Sequence, residues 1–544
     1  MDDPSHIHKL PNDILAKVFV YFATESSGWY CQWLPMISTE RLCDIMLVCR
    51  HWREVASSAA DLWRQMNIGQ RYFTWSDGCY HIYVERVERA ARYFDLILPR
   101  TADAPLEVRA VDAEVSAYIL PKILESQAHR LRRVSVRVPQ GSSQLLELTR
   151  LLANTSLPLL EELRIDPDRY DDPVATPIED RVHLPTPALT LELFPALHTL
   201  CQEAVVIYET SVPLLSRLTI LYLEYCSFDF GSAEPLNRFI EVLGGCKNLS
   251  ELRVWQVLNS HDLPPKDSAP KVAKLEKLST LDLRDAPEYT SWFLSSISID
   301  NDVDISVTGT LDEIGPFDNI PDRFASLCPA SMASRLQAVT DGYICPSNTH
   351  DNEDMALGSS KTHLSIQGPG LWASYVRPEL EVSLRAFSRV FAGAPITKLD
   401  IRAGKFGDVS RGGRDSEIWV DLFTQFPDIK KLYLTSCGSL TGIFSALGRP
   451  PRQQADCDSQ AGMPVCPRLE SITAEGMMWE TTGMVESLAA VLRRRSALGL
   501  PKWKVLDFID SFENVGGPLR EVAALYKDDV LGNVERLSFK GRSD

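Results

Sequence analysis

The sequence predicts an α/β protein: a small all-helical module at the N-terminus, then a solenoid of helix–turn–strand units whose parallel strands line a concave face. Three observations carry that reading. Apolar residues recur at helical spacing through residues 10–63. From residue 131 onward the chain keeps returning to one short apolar motif, at intervals of 29 to 40 residues where neighbouring copies can be measured. Amphipathic helical segments lie between successive copies, the arrangement of units that bury their apolar faces only by stacking.

In the N-terminal region, Pro11 suits the first position of a helix, where a missing N–H is no loss. Ile14, Leu15, Val18 and Phe19 then form one apolar stripe, and Leu42, Ile45, Met46, Cys49 and Trp52 form a second. A third segment closes on Leu62-Trp63. Three short helices carrying this much apolar surface need a partner.

The ordered set Leu10-Pro11, Val18-Phe19, Val48-Cys49-x-x-Trp52-Arg53 and Leu62-Trp63 resembles the F-box family over about residues 8–66. The resemblance implies a helical module, residues 1–68, that docks on a Skp-type adaptor and through it on a cullin-RING ubiquitin ligase. The rest of the chain would hold a protein substrate. It also implies adaptor-binding roles for Leu10, Pro11, Ile14, Leu15, Val18, Phe19, Val48, Cys49, Trp52, Leu62 and Trp63. The internal connector, about 23–41 and including Gly28-Trp29-Tyr30-Cys31-Gln32-Trp33-Leu34-Pro35, is longer than is usual in that family.

The recurring motif is apolar, two residues, apolar, one residue, apolar. It occurs at Leu131/Val134/Val136, Leu160/Leu163/Ile165, Leu218/Leu221/Leu223, Leu249/Leu252/Val254, Leu278/Leu281/Leu283, Ile396/Leu399/Ile401, Ile429/Leu432/Leu434, Leu469/Ile472/Ala474, Trp503/Leu506/Phe508 and Val534/Leu537/Phe539. Alternation at its end predicts a short strand in each copy. Helix candidates at 145–152, 236–243, 380–391, 418–426 and 484–492 fall between copies. Turns containing Pro158, Pro195 and Pro427 lead from helix to strand, because Pro ends a helix and biases its predecessor toward extended geometry.

Period and alternation together resemble leucine-rich repeats. Two copies carry that family's longer signature, Leu218-x-x-Leu221-x-Leu223-x-x-Cys226 and Ile429-x-x-Leu432-x-Leu434-x-x-Cys437. The final Cys is expected to turn inward and bond loop backbone, so Cys226 and Cys437 read as structural residues. Residues 69–139 read as transition helices with a first irregular repeat, including a helix through Val84–Phe94, a strand at 105–111 and a helix at 115–124. Residues 140–544 read as degenerate repeats interrupted by polar loops at about 166–187, 312–375, 403–416 and 449–466.

Composition narrows the function classes. A formal charge of −17, from 56 basic and 73 acidic residues, argues against nucleic acid or an anionic membrane as partner. No apolar run is long enough to span a bilayer and no leader-like segment opens the chain, so membrane insertion and export are not expected. The 12 cysteines are scattered with no Cys-x-x-Cys pair, which argues against zinc and disulfides and for a reducing, cytoplasmic or nuclear, setting. No nucleotide-binding, hydrolase or metalloprotease motif occurs, so no catalytic residue, metal site or cofactor is expected. His6-x-His8, Asp171-Asp172 and Glu353-Asp354 read as solvated groups, and Arg493-Arg494-Arg495 as ordinary cations of a last helical turn.

What remains is a binding surface. The residue between the last two apolar positions of each strand should point to the open face, giving a row of Arg164, Tyr222, Arg253, Asp282, Asp400, Tyr433, Thr473, Asp507 and Ser538. Its Tyr, Arg and Asp content suits contact with a protein target. Two readings follow: a target-binding ligase subunit with no active site of its own, or a non-catalytic scaffold whose N-terminal helices serve some other partner.

Overall fold

The computed structural model describes residues 10–25, 36–37, 39–68, 88, 91–110, 113–139, 150–168, 189–265, 271–300, 302–310, 322, 325–346, 355–358, 362–367, 380–402, 415–437, 440–449, 464–476, 481–510 and 532–541. His6, His8, Val84, Val87, the two acidic pairs, and most of the connector and of the expected loops 166–187, 403–416 and 449–466 lie outside them. The chain divides into two compact units, Met1–Leu278 and Ser279–Asp544.

The first unit opens with helices α1 (Asn12–Ala23), α2 (Thr39–Val48), α3 (Arg50–Ser58) and α4 (Ala60–Trp63). Pro11 stands one position before the first helical turn, with φ −55° and ψ 146°. The module is not wholly helical as expected: strands β1 (Thr24–Glu25) and β2 (Met36–Ile37) pair antiparallel and tie the two ends of the connector together. Leu15, Phe19 and Ala23, four apart on α1, are buried together with Leu42, Ile45, Val55, Leu62 and Trp63. Cys49 caps α3, its Sγ accepting from the Trp52 amide at 3.4 Å. The Trp63 indole donates to the Ala56 carbonyl at 2.7 Å, and the Phe19 and Trp52 rings lie 4.9 Å apart.

Strand β3 (Gln65–Ile68) runs from this module straight into a parallel sheet. Its order is β3, β4 (Leu106–Ala110), β5 (Leu131–Pro139), β6 (Glu162–Asp168), β7 (Thr199–Glu203), β9 (Ile220–Glu224) and β11 (Glu251–Trp255). Short strands β8 (Val206–Tyr208) and β10 (Ser227–Asp229) make a second parallel pair, and β12 (Ala273–Lys274) follows. Val134, Leu163, Leu200, Leu221 and Leu252 face one another in register and are buried, so the motif positions do form one stacked apolar row. Helices α5 (Ala113–Gln127), α6 (Val212–Leu215) and α7 (Pro235–Gly245) lie between strands.

In the second unit β13 (Thr280–Asp285), helix α8 (Pro287–Ser295), β14 (Ile297–Ser298), β15 (Asp304–Thr310) and helix α9 (Ala333–Gln337) precede three strands that the polarity of 312–375 conceals. These are β16 (Asp341–Pro346), β17 (Met355–Gly358) and β18 (Thr362–Gln367). The segment expected to be a protruding loop is thus partly sheet: β18 pairs parallel with β15, and antiparallel β17 bridges β18 to β16. Backbone hydrogen bonding to neighbours on both sides outweighs the low apolar content that suggested a loop. Gly342 on β16 is needed there, because a Cβ would come within 2.4 Å of the Phe387 ring. The sheet continues through β19 (Lys398–Arg402), β20 (Lys431–Thr435), β21 (Ser471–Glu475), β22 (Trp503–Asp510) and β23 (Val534–Gly541), all parallel. Helices α10 (Leu380–Val390), α11 (Asp415–Gln425), α12 (Leu440–Leu447) and α13 (Thr481–Ala497) alternate with them. Leu281, Leu399, Leu432, Ile472 and Leu506 are buried.

Two local devices recur. The residue just after a strand is left-handed at Ala204, Tyr225, Gln256, Ser436 and Gly476, with φ between 48° and 59°. From that position the Tyr225 amide reaches the Trp255 carbonyl at 2.8 Å and the Ser436 amide reaches Glu475 at 2.8 Å, extending the ladder one step before the chain turns. Cys226 and Cys437 come next and turn inward as the repeat spacing predicts, but they bond strand carbonyls and not loop backbone, Cys226 to Gln202 at 3.4 Å and Cys437 to Ile401 at 3.2 Å. The second device is a buried arginine near a helix end, capping the turn that leads into the preceding strand. Arg130 donates to the Ala104 carbonyl, Arg335 to Asp300, and Arg495 to Cys466, Pro467 and Leu469 at 3.1–3.3 Å. Arg495 does lie in the last turn of its helix, as its sequence setting suggests, but it is buried at 4% exposure against those carbonyls.

Candidate protein-interaction surfaces

The predicted adaptor residues separate into two groups. Leu15, Phe19, Leu62 and Trp63 are buried and hold the helices together, with Trp52 and Cys49 half-buried at the α2–α3 junction. Pro11, Ile14, Val18 and Val48 face solvent, and Leu10 is half-buried. Three residues absent from the predicted set join them: Tyr21 (87% exposed), Phe22 and Leu47 (72%). On α1 the steps from 11 to 14, 18, 21 and 22 place these side chains on one stripe beside the buried Leu15–Phe19–Ala23 stripe. The sequence signal was present, since Ile14 through Ala23 holds more apolar residues than one face can bury. A contiguous apolar stripe left in water is the mark of a covered surface.

On the sheet of the first unit, alternation turns Arg109, Ser135, Arg164, Cys201, Tyr222 and Arg253 away from the core, opposite one another in register. Arg164, Tyr222 and Arg253 thus do come together. Tyr222 is 9% exposed, however, and its hydroxyl donates to Glu251 at 2.5 Å, so it acts more as a support than as a free contact. Burial, aided by that bond, pushes its phenol well above the usual range. The Arg253 guanidinium carbon lies over both the Tyr222 and Trp255 rings, 4.6 Å from each centroid, within cation–π distance. Trp255 was not foreseen, because it stands one step beyond the motif. In the flanking row Glu107 accepts from Gln65 at 2.9 Å, and Arg133 spans Glu107 and Glu162 at 3.8 and 3.7 Å. Desolvation raises the Glu162 pKa against the pull of Arg133 and Arg164.

The second unit aligns Asp282, Ser306 and His363, and through Gly358 of β17 continues to Tyr343, Asp400, Tyr433, Thr473, Asp507 and Ser538. Here the predicted row carries acids. Asp400 is bonded by Arg402 at 2.8 Å, and Asp507, 7% exposed, by Arg536 at 3.0 Å and by the Ser538 hydroxyl. Lys398 lies 5.4 Å from the Tyr433 ring.

Among the described residues no cluster of His, Cys, Asp and Glu could hold a metal ion, and no helix is long and apolar enough to cross a membrane. Burial pushes the Cys226, Cys246 and Cys328 thiols up to about 12, away from nucleophilic character. No curated protein matches the chain. The F-box-like family model matches residues 7–69. The chain accordingly carries an F-box-like domain, a protein-interaction module, ahead of an α/β region of parallel strands.

Proposed function

We propose that this protein is the target-binding subunit of an SCF-type ubiquitin ligase. The F-box-like domain would dock on a Skp-type adaptor, and the parallel-strand units, taken as leucine-rich-repeat coils, would present a concave face to a protein target. The observation that carries the reading is the exposed stripe of Ile14, Val18, Tyr21, Phe22, Leu47 and Val48, set within the segment that matches the F-box-like family. Such a subunit contributes geometry rather than chemistry: holding an acceptor lysine near a charged ubiquitin carrier replaces a rare encounter with a positioned one.

Co-purification of the full chain with a Skp-type adaptor tests the first half. The wild type should retain the adaptor, and the Leu10→Ala/Pro11→Ala and Val18→Asp/Leu47→Asp variants should lose it while still melting cooperatively. Adaptor retention by both variants would overturn the docking assignment. The second half is tested by comparing proteins stabilised when residues 7–69 are deleted with proteins bound by the intact chain. Two sets that do not overlap would leave a non-catalytic scaffold as the better account.

A further inference from the structure

The chain has a formal charge of −17, yet the positions that lead into its last five strands run the other way. The four residues before the middle apolar anchor of β19, β20, β21, β22 and β23 hold seven bases against three acids. The same positions of β4, β5, β6, β7, β9 and β11 hold four of each, so the excess belongs to this rim and not to the repeat. Its bases are unevenly paired. Lys504 is bonded to Glu470 at 2.7 Å, Arg468 to Asp428 at 2.8 Å and Arg536 to Asp507 at 3.0 Å. Lys398, Lys430 and Lys431 are exposed, and none of them forms an ion pair among the described residues. Lys398 and Lys431 stand directly opposite each other on neighbouring strands, about 4.8 Å apart. Lys430 adjoins them in the turn, its amide bonded to the Thr397 carbonyl at 2.7 Å. Asp341, opposite Lys398 on β16, does not pair with it. The fold gains nothing from this grouping, because like charges facing each other across a strand pair repel.

We infer that the strand-start rim of β19 and β20 binds a carboxylate-rich segment of a partner polypeptide, with Lys398, Lys430 and Lys431 as its anchor. This rests on the target-receptor reading above and gives the chemistry of one docking edge. An acidic segment turns the repulsion among the three ammonium groups into attraction, and a basic rim on an acidic protein steers such a segment to that edge. Lys398 and Lys431 lie on the sheet and Lys430 on the turn beside it, so the charge is spread around an edge. That spread suits a run of single carboxylates better than one compact phosphoryl group. A polynucleotide fits worse still, since three such cations neutralise few phosphates while the charge of the whole chain repels the others.

Fluorescence polarisation of a labelled hexaglutamate peptide with the full chain is the test. The peptide should bind, more weakly as salt rises, and a hexaglutamine peptide should not. Lys398→Glu/Lys431→Glu should weaken binding by about tenfold or more, with the neutral Lys398→Gln/Lys431→Gln pair used if the double reversal does not fold. Lys277→Glu, exposed outside this rim, should bind like the wild type. Lys398→Glu alone sets an acid opposite Lys431, so it should melt at or above the wild-type temperature and still lose affinity, a combination that damage to the fold cannot produce. No binding of hexaglutamate, or equal binding by a double variant that melts like the wild type, would overturn the proposal. Either result leaves the target-receptor reading standing, because that reading is judged on whether stabilised and bound proteins overlap. A lower melting temperature for Lys398→Glu would remove the repulsion on which the proposal is built. Tighter binding of a phosphoserine peptide or of single-stranded DNA than of hexaglutamate would overturn the carboxylate assignment.

Discussion

The N-terminal helices and the parallel strands treat apolar side chains in opposite ways. The strand motifs are sealed at their middle anchors, with Leu163, Leu221, Leu281, Leu432 and Leu506 at 0–1% exposure, and their outward rows mix charged, aromatic and small polar residues. The helical module buries one stripe of α1 and leaves the next in water, with Val18 40% and Tyr21 87% exposed, and Leu47 at the end of α2 is 72% exposed. A sealed apolar residue stabilises its own fold; an exposed one on a short helix gains nothing until another molecule covers it. The comparison therefore assigns different jobs to residues of the same chemistry, and it can be broken by mutation.

The largest expected effect lies in the strands. Leu432→Ala should destabilise the second unit by about 2–5 kcal/mol, the range for truncating a sealed leucine. Chemical denaturation measures it directly. A loss well under 1 kcal/mol would mean that the motif leucines are not a shared core.

Arg495 comes next, because it ties a helix to the turn before the preceding strand through three carbonyls. Arg495→Met keeps the volume and relieves a buried charge, whose pKa burial lowers, yet it orphans those carbonyls. A net loss of about 1–3 kcal/mol is expected, since unsatisfied buried acceptors outweigh the recovered desolvation. An unchanged or raised melting temperature would show the opposite balance.

That residue also marks where sequence reading stops. The apolar anchors were legible because strand alternation and stacking impose a period on the chain itself, and Cys226 and Cys437 were legible from their fixed offset to it. Arg495 was not, since its partners are a turn about thirty residues earlier and nothing nearby in sequence distinguishes it from a solvated neighbour such as Arg493. Strands β16 to β18 were hidden for the same reason: their partners are set by the ladder and not by local polarity. On the surfaces, the strand row was readable residue by residue, whereas the support given to Arg253 by Trp255 depends on a side chain outside the motif. Tyr21 and Phe22 were visible as excess apolar content but not assignable to a face from spacing alone, and the exposure of Leu47 on α2 had no such local sign.

A smaller effect is expected at the left-handed positions, which both units share. Ser436, with φ 55°, should accept Gly with a change within about 1 kcal/mol, relief of strain being offset by lost chain restriction. Ser436→Val, a β-branched residue forced into the same conformation, should cost about 1–2 kcal/mol. Tyr225, at φ 52° in the first unit, should show the same ordering of Gly above Val. If Val and Gly variants melt alike at both sites, the strand-end turn is not the constraint that the geometry indicates.

The smallest effect on the fold should come from a residue of the proposed docking surface. Leu47 is 72% exposed on α2, and a surface substitution away from any cap or core contact usually shifts stability by no more than about 0.5 kcal/mol. Leu47→Ser should therefore leave the melting curve where it was. Its effect should appear only when a Skp-type adaptor is present: the wild-type chain gains thermal stability from a partner that binds the native state alone, and the variant should gain less. The two-condition melt separates the jobs within one experiment, because Leu432→Ala should lower both curves while Leu47→Ser narrows the gap between them. Should Leu47→Ser lower the curve without adaptor as much as Leu432→Ala does, the exposed stripe would be part of the core after all, and the contrast between the two regions would be lost.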